Sequence, residues 1–134
     1  MTDEFSLDFN QVTVPCIDYE ASVEFYKKLG LRQIVDSPPR YARFETAAGS
    51  TFSIHRVDPP VQSSDISVYF EVEDVDAAVQ ALIAKGLEFD TKAQNQNWLW
   101  REAYLSDPAG NRLCIYYAGK NRRHPPWRVP DDAE

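Results

Sequence analysis

Cysteine and histidine are scarce in this chain, with two of each, and neither Cys16 nor Cys114 falls in a CxxC or Cys/His spacing that would hold a metal. Two cysteines are too few for a disulfide framework, so both are expected to be free thiols. Basic residues are also in short supply, 14 against 21 acids, which leaves a formal charge of −7. Nucleic acids and anionic membranes select basic faces, so neither is an expected partner, and neutral or cationic ligands are favoured instead. Long apolar runs are absent too. The opening MTDEFSLDF is acidic, so neither a signal peptide nor a membrane span is expected and the expected compartment is cytoplasmic. Ser53 and Ser67 lie in no GxSxG context and no recognisable triad, which leaves nucleophilic serine chemistry without support.

What is present suffices for one domain: 134 residues at 43% hydrophobic can bury a real core. Charge is uneven along it, −3 over residues 1–60, −5 over 61–119 and +1 over 120–134, so the tail differs chemically from the body. Residues 8–16 alternate as a half-buried strand, with Val12, Val14 and Cys16 on one side. Asp18 is placed to cap a helix whose apolar face is Ser22, Phe25, Tyr26 and Leu29, stopped by Gly30. Short strands are expected at 31–35, 41–46 and 51–57, and a turn-rich linker follows over 59–65. The pattern then restarts, with a strand at 66–72 and an Asp74 cap. The helix carrying Ala78, Val79, Leu82 and Ile83 ends at Gly86, and strands follow at 87–90, 99–106 and 111–118, the longest loop being 91–97. Asp107-Pro108-Ala109-Gly110-Asn111 supplies the turn of a β-hairpin over 104–117 rather than a phosphate loop.

The restart is an internal repeat. Sliding the second half onto the first by 56 positions matches Val12/Val68, Asp18/Asp74, Ala21/Ala77, Val23/Val79, Gly30/Gly86 and Leu31/Leu87. Gly49 and Gly110 align at an offset of 61, which pairs Ser53 with Cys114 and His55 with Tyr116.

With QVTVPCIDYEASVEFYKKLGL in the first unit and FEVEDVDAAVQALIAKGL and SDPAGNRLCIYY in the second, the chain resembles the vicinal oxygen chelate superfamily. That superfamily includes glyoxalase I, extradiol dioxygenases and bleomycin resistance proteins. The resemblance implies an α+β fold of two βαβββ modules, about 8–58 and 66–119, within a single domain over 1–119, followed by a tail at 120–134. Their strands would form a curved, partly open, barrel-like sheet with the helices outside and a cleft inside. It also implies a small-molecule ligand and a homodimer.

In metal-dependent members up to four side chains on the concave face hold one divalent ion. The matching positions here are Gln11, Ser67, Ser53 and Cys114. Gln11 stands where many members have histidine and some glyoxalases have glutamine, whereas two serines and a cysteine are not the carboxylate and imidazole set that hard ions select. The expectation is therefore a metal-free small-molecule-binding member with no cofactor, and the alternative is a lyase, isomerase or dioxygenase with an atypical divalent metal site. Alternation adds Thr13, His55, Tyr69, Glu71, Arg112 and Tyr116 to the concave face. His55 and Glu71 are read either as an acid–base pair or as a hydrogen-bonded His beside a solvated carboxylate, and with Cys114 as a relocated metal site. Cys114 is either a nucleophile or a small buried side chain. Trp98 and Trp100 flank Leu99 and suit a ligand lid, a subunit contact or edge packing, while Trp127 in the tail either lies across a groove or belongs to a solvated end.

Overall fold

The computed structural model describes residues 5–61 and 65–131, so residues 62–64 of the expected linker and both chain ends lie outside the described residues. The first module runs β1 (Gln11–Cys16), α1 (Tyr19–Leu29), β2 (Arg32–Ser37), β3 (Tyr41–Glu45) and β4 (Thr51–Arg56). The second runs β5 (Ser67–Glu71), α2 (Val75–Ala84), β6 (Gln94–Asn95), β7 (Arg101–Ser106) and β8 (Arg112–Tyr117). Each module forms one four-stranded mixed sheet, ordered β1-β4-β3-β2 and β5-β8-β7-β6, and the two sheets do not close into a barrel. The curved surface expected as one sheet is thus built from two.

The repeat seen in the sequence is a repeat of structure. Asp18 and Asp74 each accept a hydrogen bond from the backbone N–H three residues on, both at 3.1 Å, satisfying a helix-end donor. The first strand of each module pairs in parallel with its last, Thr13 opposite Ser53 and Tyr69 opposite Cys114. These registers reproduce the offsets of 56 and 61.

Alternation then divides each sheet into two faces. One carries Val14, Phe44, Phe52, Ile54, Leu105, Leu113 and Ile115, which join Tyr26 and Leu82 from the helices in one core drawn from both modules. Each fully buried aliphatic or aromatic side chain of this kind contributes about 2 kcal/mol by leaving water. The β7–β8 turn is also pinned to the first module. Tyr26 donates its hydroxyl to Asp107 Oδ2 at 2.5 Å, and Asn111 donates its side-chain N–H to the Pro15 carbonyl at 2.8 Å.

Two expected strands are placed differently. Residues 87–90 form no strand; the second strand of this module is the two-residue β6. The Asp90 N–H already donates to the Tyr104 carbonyl at 2.8 Å, and Thr91 Oγ1 accepts from the Tyr104 N–H at 3.0 Å. The chain therefore crosses the edge of β7 irregularly and enters register only at Gln94, opposite Glu102. Nor does a strand begin at Leu99. The Gln96 N–H donates to the Trp100 carbonyl at 2.8 Å and the Leu99 N–H to the Gln96 carbonyl at 3.0 Å, which closes a turn with Leu99 at φ 69°.

Candidate functional site

The polar face of the first sheet is a network closed on itself. Gln11 Nε2 donates to Ser53 Oγ and Thr13 Oγ1, each at 3.0 Å, and Gln11 Oε1 accepts the Thr51 hydroxyl. Ser53, fully buried, also shares a hydrogen bond with the Tyr41 hydroxyl at 2.7 Å. Arg43 Nε donates to that same Tyr41 oxygen at 2.8 Å, and these two bonds outweigh desolvation and hold the phenol below its ordinary pKa. Gln11, the residue best suited to coordinate, thus has both ends of its amide engaged within the sheet.

The corresponding face of the second sheet is aromatic. Trp100 stacks on Tyr116 with centroids 4.8 Å apart and planes at 28°. Tyr69 stands edge-on to Trp100, Tyr116 and Tyr104 at 5.8, 5.4 and 6.5 Å. The Arg112 guanidinium lies 4.3 Å from the centroid of the Tyr104 ring. Beneath the rings are Cys114, with no exposed surface, and Glu102, only 2% exposed. Trp98 Nε1 donates to Glu102 Oε2 at 3.0 Å and the Tyr104 hydroxyl to Oε1 at 3.1 Å. Burial first, and then the nearby Glu102 charge, push the Cys114 thiol up to about 12.

Of the residues expected on the concave face, the structure unites Gln11, Thr13 and Ser53 in the first cluster, and Tyr69, Trp98, Trp100, Arg112, Cys114 and Tyr116 in the second. A cavity of about 570 Å³ lies where β1 and β5 begin, bordered by Gln11 and Thr51 of the first cluster, by Tyr69 alone of the second, and by Phe9, Phe52, Ser67, Phe70 and Glu71. Glu71 and His55 are not brought together. Glu71 Oε2 accepts from the Ala118 and Gly119 N–H groups at 2.8 and 2.9 Å, and Oε1 faces Arg122 at 3.9 Å. The carboxylate thus anchors the start of the tail and does not face His55, which is exposed on β4. Among the described residues no three His, Cys, Asp or Glu side chains converge as metal ligands, so His55, Glu71 and Cys114 do not form the relocated site either. Trp127 is 57% exposed, whereas Trp100 is tied to the tail through its indole N–H, which donates to the Asn121 carbonyl at 3.3 Å.

Glu102, Tyr104, Tyr41 and Arg43 are absent from the residues picked out in sequence. Alternation holds their signal: Trp100, Glu102 and Tyr104 share one parity, as do Tyr41 and Arg43. The ligand positions implied by the resemblance fall on the first and last strands of each module, whereas these four residues stand on β3 and β7.

The divalent ion implied by the resemblance is a poor fit to these donors. The matching positions offer an amide whose oxygen already accepts a hydroxyl, two serines, and a thiol held protonated by burial. A thiol binds metal as thiolate, and hard ions select carboxylate and imidazole.

Two modules of βαβββ type, each an open four-stranded mixed sheet with one helix, define an α+β class of paired-module folds. Within that class the sequence matches the profile of the Glyoxalase/Bleomycin resistance protein/Dioxygenase superfamily over residues 8–115, and the chain belongs to this family. Solved structures agree on the fold. A glyoxalase/bleomycin resistance protein/dioxygenase family enzyme from Burkholderia phytofirmans PsJN superimposes with a TM-score of 0.70 at 21% identity, over 84% of this chain and 99% of its own. Lactoylglutathione lyase from Agrobacterium tumefaciens gives 0.68 at 17%, covering 82% and 92%. TioX from Micromonospora sp. ML1 gives 0.67 at 20%, covering 83% and 98%. No curated protein matches the sequence. Among the described residues no helix is long and apolar enough to cross a membrane.

Proposed function

We propose that this chain is a metal-free, small-molecule-binding member of its superfamily, which holds a flat aromatic ligand against the second sheet and acts by sequestering it. The observation that carries this reading is the aromatic cluster of Tyr69, Trp100, Tyr104 and Tyr116 on the second sheet, of which Tyr69, 42% exposed, also lines the cavity of about 570 Å³. Concave, largely apolar sites with a few fixed polar groups are where small ligands bind. The Gln11 amide, tied into its network, and the Cys114 thiol, held protonated by burial, support binding without a metal, because a neutral amide and a neutral thiol are weaker ligands for a hard ion than carboxylate and imidazole. Two buried free thiols suit a cytoplasmic protein. An exposed apolar N-terminal stretch, Phe5, Leu7 and Phe9, suits a homodimer.

Metal analysis together with a quinoline titration followed by tryptophan emission tests the reading. Purified protein is expected to carry no stoichiometric divalent ion, and quinoline to quench emission saturably, with both signal and affinity reduced in Trp100→Phe. A tightly held equivalent of metal would turn the reading towards a lyase, isomerase or dioxygenase. Identical titrations in the wild type and Trp100→Phe would remove the aromatic cluster from the site.

A further inference from the structure

We propose that Glu102 is the charge anchor of the aromatic cleft, and that the site takes an organic cation, a protonated amine borne on a flat aromatic ring, with Trp98 as the lid that the amine displaces. This rests on the ligand-binding reading above and names the ligand class for it.

Glu102 is nearly inaccessible, yet both of its hydrogen-bond partners, the Trp98 indole and the Tyr104 hydroxyl, are neutral. Among the described residues it forms no ion pair. The neighbouring Arg101 turns away to Asp76 on α2 at 2.8 Å. A carboxylate taken out of water is ordinarily paired with a cation, because desolvation penalises the lone charge. Each Glu102 oxygen accepts one bond where it has room for two, so acceptor capacity is left for a ligand N–H.

The surroundings suit a cation as well. Tyr69, 42% exposed, and Trp100 present aromatic rings whose quadrupoles attract positive charge, with Tyr116 buried against Trp100. Tyr104 already carries the planar Arg112 guanidinium 4.3 Å from its centroid, so this cluster accepts a flat cation in the structure as it stands. The excess of acidic residues in the chain favours the same sign of ligand.

Trp98 is the movable part. Its side chain is nearly half exposed, and its hydrogen bond to Glu102 is made from the 96–100 turn, where Leu99 sits at φ 69°. Left-handed backbone is unusual for a bulky residue, and strain of this kind gathers at ligand clamps and switch regions. The indole N–H occupies the Glu102 oxygen that an ammonium N–H would take, with a neutral donor where a charged one binds more strongly. An entering amine therefore replaces the indole at Glu102 Oε2, and the turn is free to relax.

The experiment is calorimetric titration of the full chain with 1-naphthylmethylamine, its neutral twin 1-naphthylmethanol and the anion 1-naphthylacetate, with the Trp98 indole N–H resonance followed by NMR. The amine is expected to bind at least about tenfold more tightly than the alcohol, with the acetate weakest. In Glu102→Gln that preference should fall to within about twofold while the alcohol's affinity holds, since the substitution removes the charge and little volume. Trp98→Phe should keep the amine preference, and in the wild type the Trp98 resonance should move with the amine and not with the alcohol. Equal binding of amine and alcohol to the wild type, or an amine preference that survives Glu102→Gln, overturns the proposal and leaves the aromatic cleft standing. Loss of the preference in Trp98→Phe overturns the lid, a result readable even if Glu102→Gln does not fold. Absence of saturable binding by all three probes at millimolar concentration overturns the cleft reading along with it.

Discussion

Cys114 shows what one side chain's surroundings do to its chemistry. It occupies the strand position where the resemblance implies a metal-ligand carboxylate or imidazole, but it has no exposed surface and donates its S–H to the Ile115 carbonyl at 3.8 Å. Burial lifts the thiol from 9.0 to about 12, so it stays neutral, and the nucleophile read as one alternative in the sequence gives way to a packed side chain. The sign of the linkage follows. A thiol titrating higher in the folded than in the unfolded chain contributes its full stabilisation below the unfolded value and loses it as pH rises. Stability should therefore decline between about pH 9 and 12, by way of Cys114 and of Tyr19, whose phenol is likewise lifted to about 12. Urea midpoints measured across that range should fall less steeply in Cys114→Ala. Superimposable profiles for the variant and the wild type would rule Cys114 out as a cause.

At the scale of elements, two aspartates do unlike work although the sequence presents both as local devices, Asp74 as a helix cap and Asp107 as part of a turn. Asp74 caps α2 with one bond at a solvated helix end. Asp107 sits 5% exposed and accepts four: the Ala109 and Asn111 backbone N–H groups, the Asn111 side chain, and the Tyr26 hydroxyl from the other module. Asp74→Ala should cost about 1 kcal/mol, the usual worth of an N-cap. Asp107→Ala should cost about 3 kcal/mol, because it leaves buried donors without an acceptor. Urea denaturation of the two variants checks the difference, and equal costs would mean that water replaces the lost acceptor at the β7–β8 turn. The strands were legible in the sequence wherever alternation ran unbroken between turn residues, as in β1, β4 and β8. They were not legible around 87–100. There the strand edge is set by hydrogen bonds to Tyr104 and by the tight turn at Leu99, and a residue such as Leu99 gives no sign of left-handed backbone in advance.

For the whole molecule, the surface left uncovered bears on assembly. Phe5, Leu7 and Phe9 alternate and are 71, 89 and 90% exposed, an apolar row joined to the start of β1 and reaching the cavity rim through Phe9. Such a row is a contact surface when a second copy covers it. Light scattering on a sizing column should give twice the 15.3 kDa chain mass, shifting towards a single chain in the Leu7→Asp, Phe9→Asp double variant. A 15.3 kDa species from the wild type at micromolar concentration would count against the dimer.

The sequence by itself determined the modules and their faces. Caps, stops and period-two alternation are local properties of the chain, and a duplicated pattern of them specifies a duplicated fold, down to which residues look outward from each sheet. The tertiary structure decided which outward-facing residues meet and what surrounds them. It joined Gln11, Thr51, Ser53 and Tyr41 into a closed network, diverted Glu71 to the tail, and gave Glu102 two neutral donors, Trp98 and Tyr104, with no ion pair among the described residues. Those outcomes depend on burial and on partners far apart in the chain, 47 and 48 positions for Glu71 with Ala118 and Gly119. Spacing along a sequence carries neither.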